Sequence, residues 1–150
     1  MEGGELQIAW PSSFPELATE RLRLRTPLPR DAAALLGILG DPEVTRYHNM
    51  PTLTTLAEAR AALERLQQRY TARDAIRWAM ELVEHGEMIG TVGLLRFDFE
   101  HRRAEVGYEI ARRSWGRGLT PEAVEDSKGR FHSFRWFSLL ETDESPGTAR

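Results

Sequence analysis

The sequence predicts a mixed α+β domain, and three observations predict it. Apolar residues recur at steps of three and four between Leu56 and Tyr70, as on one face of a helix. Over residues 76–110 the period changes to two and is broken twice by turn signals, the pattern of three successive antiparallel strands. The third strand runs directly into a loop with two glycines, followed by a helix-opening stretch. Helices first and a strand meander afterwards define the α+β class.

Each element has a local cause. Residues 1–19 read as a leader, because Pro11, Pro15 and the Ser12-Ser13 pair interrupt any pattern, although Trp10, Phe14 and Leu17 could dock on the domain. Leu22-Arg23-Leu24-Arg25 alternates as a half-buried strand, which Pro27 and Pro29 end. Asp31 is expected to cap a short helix through Leu39, with Ala34, Leu35, Ile38 and Leu39 in helical spacing. Asp41-Pro42-Glu43 is a second start signal, combining a cap, a proline at the first helical position and an acid near the positive end. Thr55 and Glu58 stand in capping-box spacing, and Leu56, Ala59, Leu63, Leu66 and Tyr70 form the stripe that follows. Ile76, Trp78, Met80 and Leu82 share one face of the first meander strand. His85-Gly86 makes its turn, the second strand covers 88–99, and the next turn falls at 100–102. Ala104, Val106, Tyr108 and Ile110 then alternate with Glu105, Gly107 and Glu109. One domain over 20–140 and a disordered tail at 141–150 complete the expected organisation.

Composition excludes several function classes. The 150 residues suit one domain, and no apolar run approaches the roughly 18 residues of a membrane span. The polar start lacks the basic and apolar regions of a secretory signal, so a cytoplasmic setting is expected. A net charge of -3 argues against an extended nucleic-acid surface. There is no cysteine, hence no disulfide and no thiolate chemistry. Lys128 is the sole lysine and the other 19 of the 20 basic residues are arginine, which leaves almost no lysine for Schiff-base or phosphate-loop chemistry. His48, with Asn49 beside it, and His85, His101 and His132 show no metal-ligand spacing, and no metal is expected.

The chemistry points to Arg113-Ser114-Trp115-Gly116-Arg117-Gly118 and the following Leu119-Thr120-Pro121-Glu122-Ala123-Val124. A strand ending in a glycine loop that opens a helix presents free backbone N–H groups, and the helix dipole behind them favours an anion. Glycine lets the backbone approach a diphosphate, and Pro121 fits a first turn where its missing donor is not needed. The nucleotide loop pattern fails for want of Gly-Lys-Ser/Thr. The dinucleotide pattern fails for want of a third glycine and a parallel βαβ unit. The diphosphate of coenzyme A remains.

These residues resemble the GNAT (Gcn5-related) N-acetyltransferases, whose Arg/Gln-x-x-Gly-x-Gly/Ala loop corresponds to Arg113–Gly118 here. The likeness is nearest to the RimJ/RimL branch, which acetylates α-amino groups of ribosomal proteins. It extends to Thr19-Glu20-Arg21-Leu22-Arg23-Leu24-Arg25, to Asp41-Pro42-Glu43-Val44 with Arg46-Tyr47, and to Glu105-Val106-Gly107-Tyr108-Glu109-Ile110, covering about residues 14–124. The resemblance implies a GNAT-like, mainly antiparallel twisted sheet flanked by helices. It implies acetyl-CoA as co-substrate and direct acetyl transfer to a primary amine, on a protein N-terminus or a small molecule. Ile110, Ala111, Arg113, Trp115, Gly116, Arg117, Gly118, Leu119 and Thr120 would bind the co-substrate; Glu105 is the first candidate base and Glu109 the second. After Val124 the sequence departs from the family. Asp126-Ser127-Lys128-Gly129 interrupts the expected helix, the closing strands are incomplete, and Tyr47, Tyr70 and Tyr108 all precede the loop. The departure favours a second reading, a catalytically inactive remnant that binds coenzyme A or a protein partner. It also leaves the apolar run 134–140 as an unpaired edge, from which self-association into a homodimer is expected.

Overall fold

The computed structural model describes residues 10–11, 13–46, 50–98, 100–101, 103–124 and 138–141. Strands β1 (Leu17–Ala18), β2 (Leu22–Arg25), β3 (Ala75–Leu82), β4 (Glu87–Asp98), β5 (Arg103–Ile110) and β6 (Ser138–Glu141) form one sheet in sequential order. Every neighbouring pair is antiparallel except the last, where β6 runs parallel to β5. Helices α1 (Ala32–Leu39), α2 (Pro42–Thr45) and α3 (Leu56–Thr71) lie between β2 and β3 in the chain, and a helical segment begins at 119. Among the described residues no helix is long and apolar enough to cross a membrane.

Period-two alternation builds two cores, one on each face of the sheet. Ile76, Trp78, Met80 and Leu82 of β3 join Val92 and Leu94 of β4 and Ala104, Val106 and Ile110 of β5 on one face, covered by Leu119, Ala123 and Val124 of the 119–124 segment. The opposite face carries Ala79, against which Leu35, Ile38 and Leu39 of α1 and Ala59 and Leu63 of α3 are packed. Trp78 is fully enclosed and its indole N–H donates to the Pro15 carbonyl at 2.7 Å. The ring therefore contributes about 1.5–3 kcal/mol of apolar burial without leaving a donor unsatisfied.

The capping signals divide into those that hold and one that does not. Thr55 accepts from Glu58 N–H at 3.1 Å while the Glu58 carboxylate accepts from Thr55 N–H at 3.2 Å, closing the capping box. Asp41 accepts from Glu43 N–H at 3.0 Å. Asp31, expected as a cap, makes no side-chain bond to α1. Its carboxylate instead takes two Arg25 donors, at 2.9 and 2.8 Å, and the Leu28 N–H at 2.7 Å. A buried charged partner outcompetes a helix-end amide for the same oxygens. Leu56, assigned to the core stripe, is the first residue of α3 and is 36% exposed.

Two further expectations change. Part of the segment read as a leader belongs to the sheet and core: β1 pairs with β2, Trp10 and Phe14 pack on the first core, and Tyr70 donates to the Pro11 carbonyl at 3.0 Å. The run 134–140 reads in the sequence as an unpaired edge, yet Ser138–Glu141 pairs with β5 from Arg103 to Val106. Pairing within the chain satisfies one side of that strand; among the described residues β6 is the last strand of the sheet, so its outer side is still an edge. Glu141 lies in β6 rather than in a tail. Residues 1–9, 125–137 and 142–150 lie outside the described residues, as do Tyr47, His48, Asn49 and His132.

Candidate active site

The site grows from the end of β5. Ala111 N–H donates to the Ile89 carbonyl at 2.7 Å, and Ile110 stands opposite Gly90. Successive residues of an antiparallel strand direct their polar groups to opposite sides, so Ile110 turns its N–H and C=O away from β4. Its carbonyl accepts from the Trp115 indole N–H at 3.0 Å. The pairing of β6 reaches only to Val106, so the Ile110 N–H faces a stretch of β5 edge without a partner among the described residues. Trp115 packs against both cores and pins the start of the loop.

Beyond Trp115 the backbone turns twice through left-handed conformations, with φ of 82° at Gly116 and 73° at Gly118. Only glycine adopts these freely. A Cβ at Gly118 would point toward Arg21, 3.6 Å from its Nη2. The Trp115 N–H is engaged by the Arg112 carbonyl at 3.1 Å, whereas the amides of Gly116, Gly118, Leu119 and Thr120 have no acceptor among the described residues. Leu119 and Thr120 head the helical segment, where N–H groups lack intrahelical partners. The Thr120 hydroxyl is buried and also has no partner among the described residues. The loop thus has several donors available to an anion.

The expected site residues separate into backbone and side-chain roles. The side chains of Leu119, Ile110 and Ala111 are buried in the cores, so only their main chain can face a ligand. Arg117 is exposed at the loop tip. Arg113 is exposed and ion-paired with Glu87 at 3.1 Å. Its neighbour Arg112, which sequence reasoning missed, binds Asp41 in bidentate fashion at 2.9 and 2.8 Å and ties the α1–α2 turn to the end of β5. The Asp41 carboxyl loses some solvation, but Arg112 and the Glu43 N–H hold it below the ordinary aspartate range.

Glu105 and Glu109 do share one face, but their surroundings differ. Glu105 pairs with the exposed Arg96 in the half of β5 that β6 covers. Ile110 lies five positions further on, about 17 Å along a strand. Glu109 adjoins Ile110; its side chain is 10% exposed and accepts from Thr91 and from Arg77 at 3.2 Å. Arg77, Thr91 and Glu109 wall a cavity of about 260 Å³, with Arg65 and Arg69 of α3 and Met50 across it. A larger cavity of about 630 Å³ between residues 26–29 and α3 holds none of the expected site residues.

The family model of the acetyltransferase (GNAT) domain matches residues 21–138. This chain belongs to the GNAT acetyltransferase family. Among curated relatives of this GNAT chain, the uncharacterized N-acetyltransferase YoaA of Bacillus subtilis (strain 168) is 35% identical over 74% of the chain and 63% of its own length. The uncharacterized N-acetyltransferase p20 of Bacillus licheniformis is 38% identical over 73% of the chain and 61% of its own length. The chain therefore spans about three-fifths of these relatives. The microcin C7 self-immunity acetyltransferase MccE, solved with acetyl-CoA and AMP, superposes with a TM-score of 0.71 at 13% identity, over 82% of this chain and 69% of its own. The α+β class expected from the meander and the GNAT-like sheet implied by the family resemblance are the fold observed.

Proposed function

We propose that this protein transfers the acetyl group of acetyl-CoA to a primary amine by direct attack within a ternary complex: a C–N bond replaces the thioester C–S bond, the amine gives up a proton, and coenzyme A leaves as the free thiol. The observation that carries the reading is the row of amides at Gly116 and Gly118–Thr120, which have no acceptor among the described residues, at the end of a strand whose Ile110 N–H is likewise unpaired among them. The glycine loop has the polarity for a diphosphate, and the co-substrate bound by MccE carries one. When bound, acetyl-CoA supplies an acyl carbon already activated as a thioester.

In this reading the chain's own groups divide the work. The amides of Gly116, Gly118, Leu119 and Thr120 hold the diphosphate, and Arg117 adds a charge at its rim. The Ile110 N–H donates to the oxygen on which negative charge develops as the amine attacks. Glu109, not Glu105, faces the acceptor: it adjoins Ile110 and lines the cavity, while Glu105 is held by Arg96 under β6. The Glu109 carboxylate orients the amine and takes its proton, with Arg77 and Thr91 fixing its position. An α-amine, with an ordinary pKa near 7.7–8.0, needs less help than a lysine at about 10.4. The acceptor is a protein N-terminus or a small-molecule amine, and the motifs shared with the RimJ/RimL branch support the former.

Thiol release from acetyl-CoA across a panel of peptides with free N-termini and small amines tests the reading. Turnover is expected, and Glu109→Gln lowers kcat by about 10²–10⁴ whereas Glu105→Gln stays within about twofold. Binding of acetyl-CoA without thiol release on any amine would instead favour the inactive remnant.

A further inference from the structure

The glycine loop is gripped from behind by a side chain distant in sequence. Arg21, in the turn between β1 and β2, donates from Nη1 to the Arg117 carbonyl at 2.8 Å and from Nη2 to the Gly118 carbonyl at 3.3 Å. Its Nε donates to Glu122 Oε1 at 2.9 Å, and its backbone N–H donates to Glu122 Oε2 at 3.1 Å. Thr19 donates its hydroxyl to the same Glu122 carboxylate. Glu122 is partly desolvated, yet the Thr19 hydroxyl, the Arg21 N–H and the guanidinium together hold its carboxyl below the ordinary glutamate range. Two consecutive loop carbonyls and the first turn of the following helix are therefore fastened to one guanidinium.

We infer that Arg21 is a positioning residue for the diphosphate cradle, fixing the Arg117 and Gly118 carbonyls outward so that the neighbouring amides stay turned to the ligand. This rests on the proposed function and adds a residue to it. A peptide unit carries its C=O and the next N–H in opposite directions, so holding the carbonyls of Arg117 and Gly118 on one side directs the amides of Gly118 and Leu119 to the other. Two glycines at positive φ leave this segment free to turn those amides elsewhere, and a rigid guanidinium fork restricts that freedom in a way a single point charge does not. Arg21 itself lies behind the loop and touches no ligand.

The test uses two acetyl donors, acetyl-CoA and S-acetylpantetheine, which lacks the diphosphate. In Arg21→Gln, which keeps most of the side chain, the acetyl-CoA Kd and KM rise about tenfold or more, with kcat at saturation within about threefold. The second-order rate with S-acetylpantetheine stays within about twofold of wild type. Arg21→Lys recovers part of the affinity, and Arg23→Ala, on the neighbouring strand, changes neither donor. Circular dichroism and thermal melts verify that the variants are folded. An unchanged acetyl-CoA Kd in folded Arg21→Gln overturns the inference, and so does an equal loss with both donors. A wild-type protein that binds no acetyl-CoA overturns the proposed function itself, a separate outcome.

Discussion

Gly90 is where the fold and the chemistry meet, and replacing it by alanine perturbs both. It stands opposite Ile110 in the β4–β5 ladder. A methyl group there would collide with the Glu109 carbonyl oxygen and lie only 2.9 Å from Ile110 Cα and from Met80 Cε. The Met80 tip can move, but the β5 backbone can withdraw only as a unit. Carbon atoms prefer about 3.5–4.0 Å, so β5 must retreat by about 1 Å at the residue whose N–H is proposed to serve the reaction. Overpacking of this kind costs about 1–3 kcal/mol, or about 2–12 °C in Tm for a chain of this length. A misplacement approaching 1 Å at a catalytic donor costs about 10² in rate. Gly90→Ala is thus expected to remain folded, melt lower and lose kcat far more than it loses acetyl-CoA affinity. Thermal melts, calorimetric titration and thiol release measure the three quantities. Wild-type kcat in a folded Gly90→Ala protein would refute the assignment of the Ile110 edge.

Other substitutions separate stability from function. Asp31→Asn breaks a buried bidentate pair, though Glu81 still holds Arg25 at 2.6 Å. A loss of about 3 kcal/mol and about 6–12 °C in Tm is expected by thermal melting. Burial disfavours the Asp31 charge, but the Arg25 hydrogen bonds, the Leu28 N–H and the Arg25 charge outweigh it and lower the pKa below 3.8. That contribution is present above the unfolded value and fades as pH falls from there through the folded one. Denaturant titrations below about pH 4 should show wild type losing stability more steeply than Asp31→Asn. Gly37 lies within α1 and has no atom within 4 Å of the place an added methyl group would take. Gly37→Ala should therefore raise stability by about 0.5–1 kcal/mol in urea unfolding and leave thiol release unchanged.

Much of the fold was legible because its signals are local. The period-two runs of β3 and β5, the Thr55–Glu58 capping box and the glycine loop each lie within a few residues of their cause. The contacts that sequence reasoning missed join distant positions. Arg25 meets Glu81 across 56 residues, Arg112 meets Asp41 across 71, and Arg21 meets Glu122 across 101. No periodicity marks such pairs, and 19 arginines make every carboxylate an equally plausible partner in the sequence. Asp31 shows the cost of local reasoning: its position reads as a cap, but Arg25 lies within reach only after β2 and α1 have packed. Glu105 and Glu109 are equivalent by parity, and the tertiary surroundings distinguish them: β6 and Arg96 at Glu105, the cavity with Arg77 and Thr91 at Glu109.

A crystal structure obtained with saturating coenzyme A examines the phosphate cradle directly. The diphosphate oxygens should lie about 2.7–3.2 Å from the backbone nitrogens of Gly116, Gly118, Leu119 and Thr120, with the thiol end running toward Ile110. A ligand seated elsewhere, or a loop collapsed onto its own amides, would contradict the account.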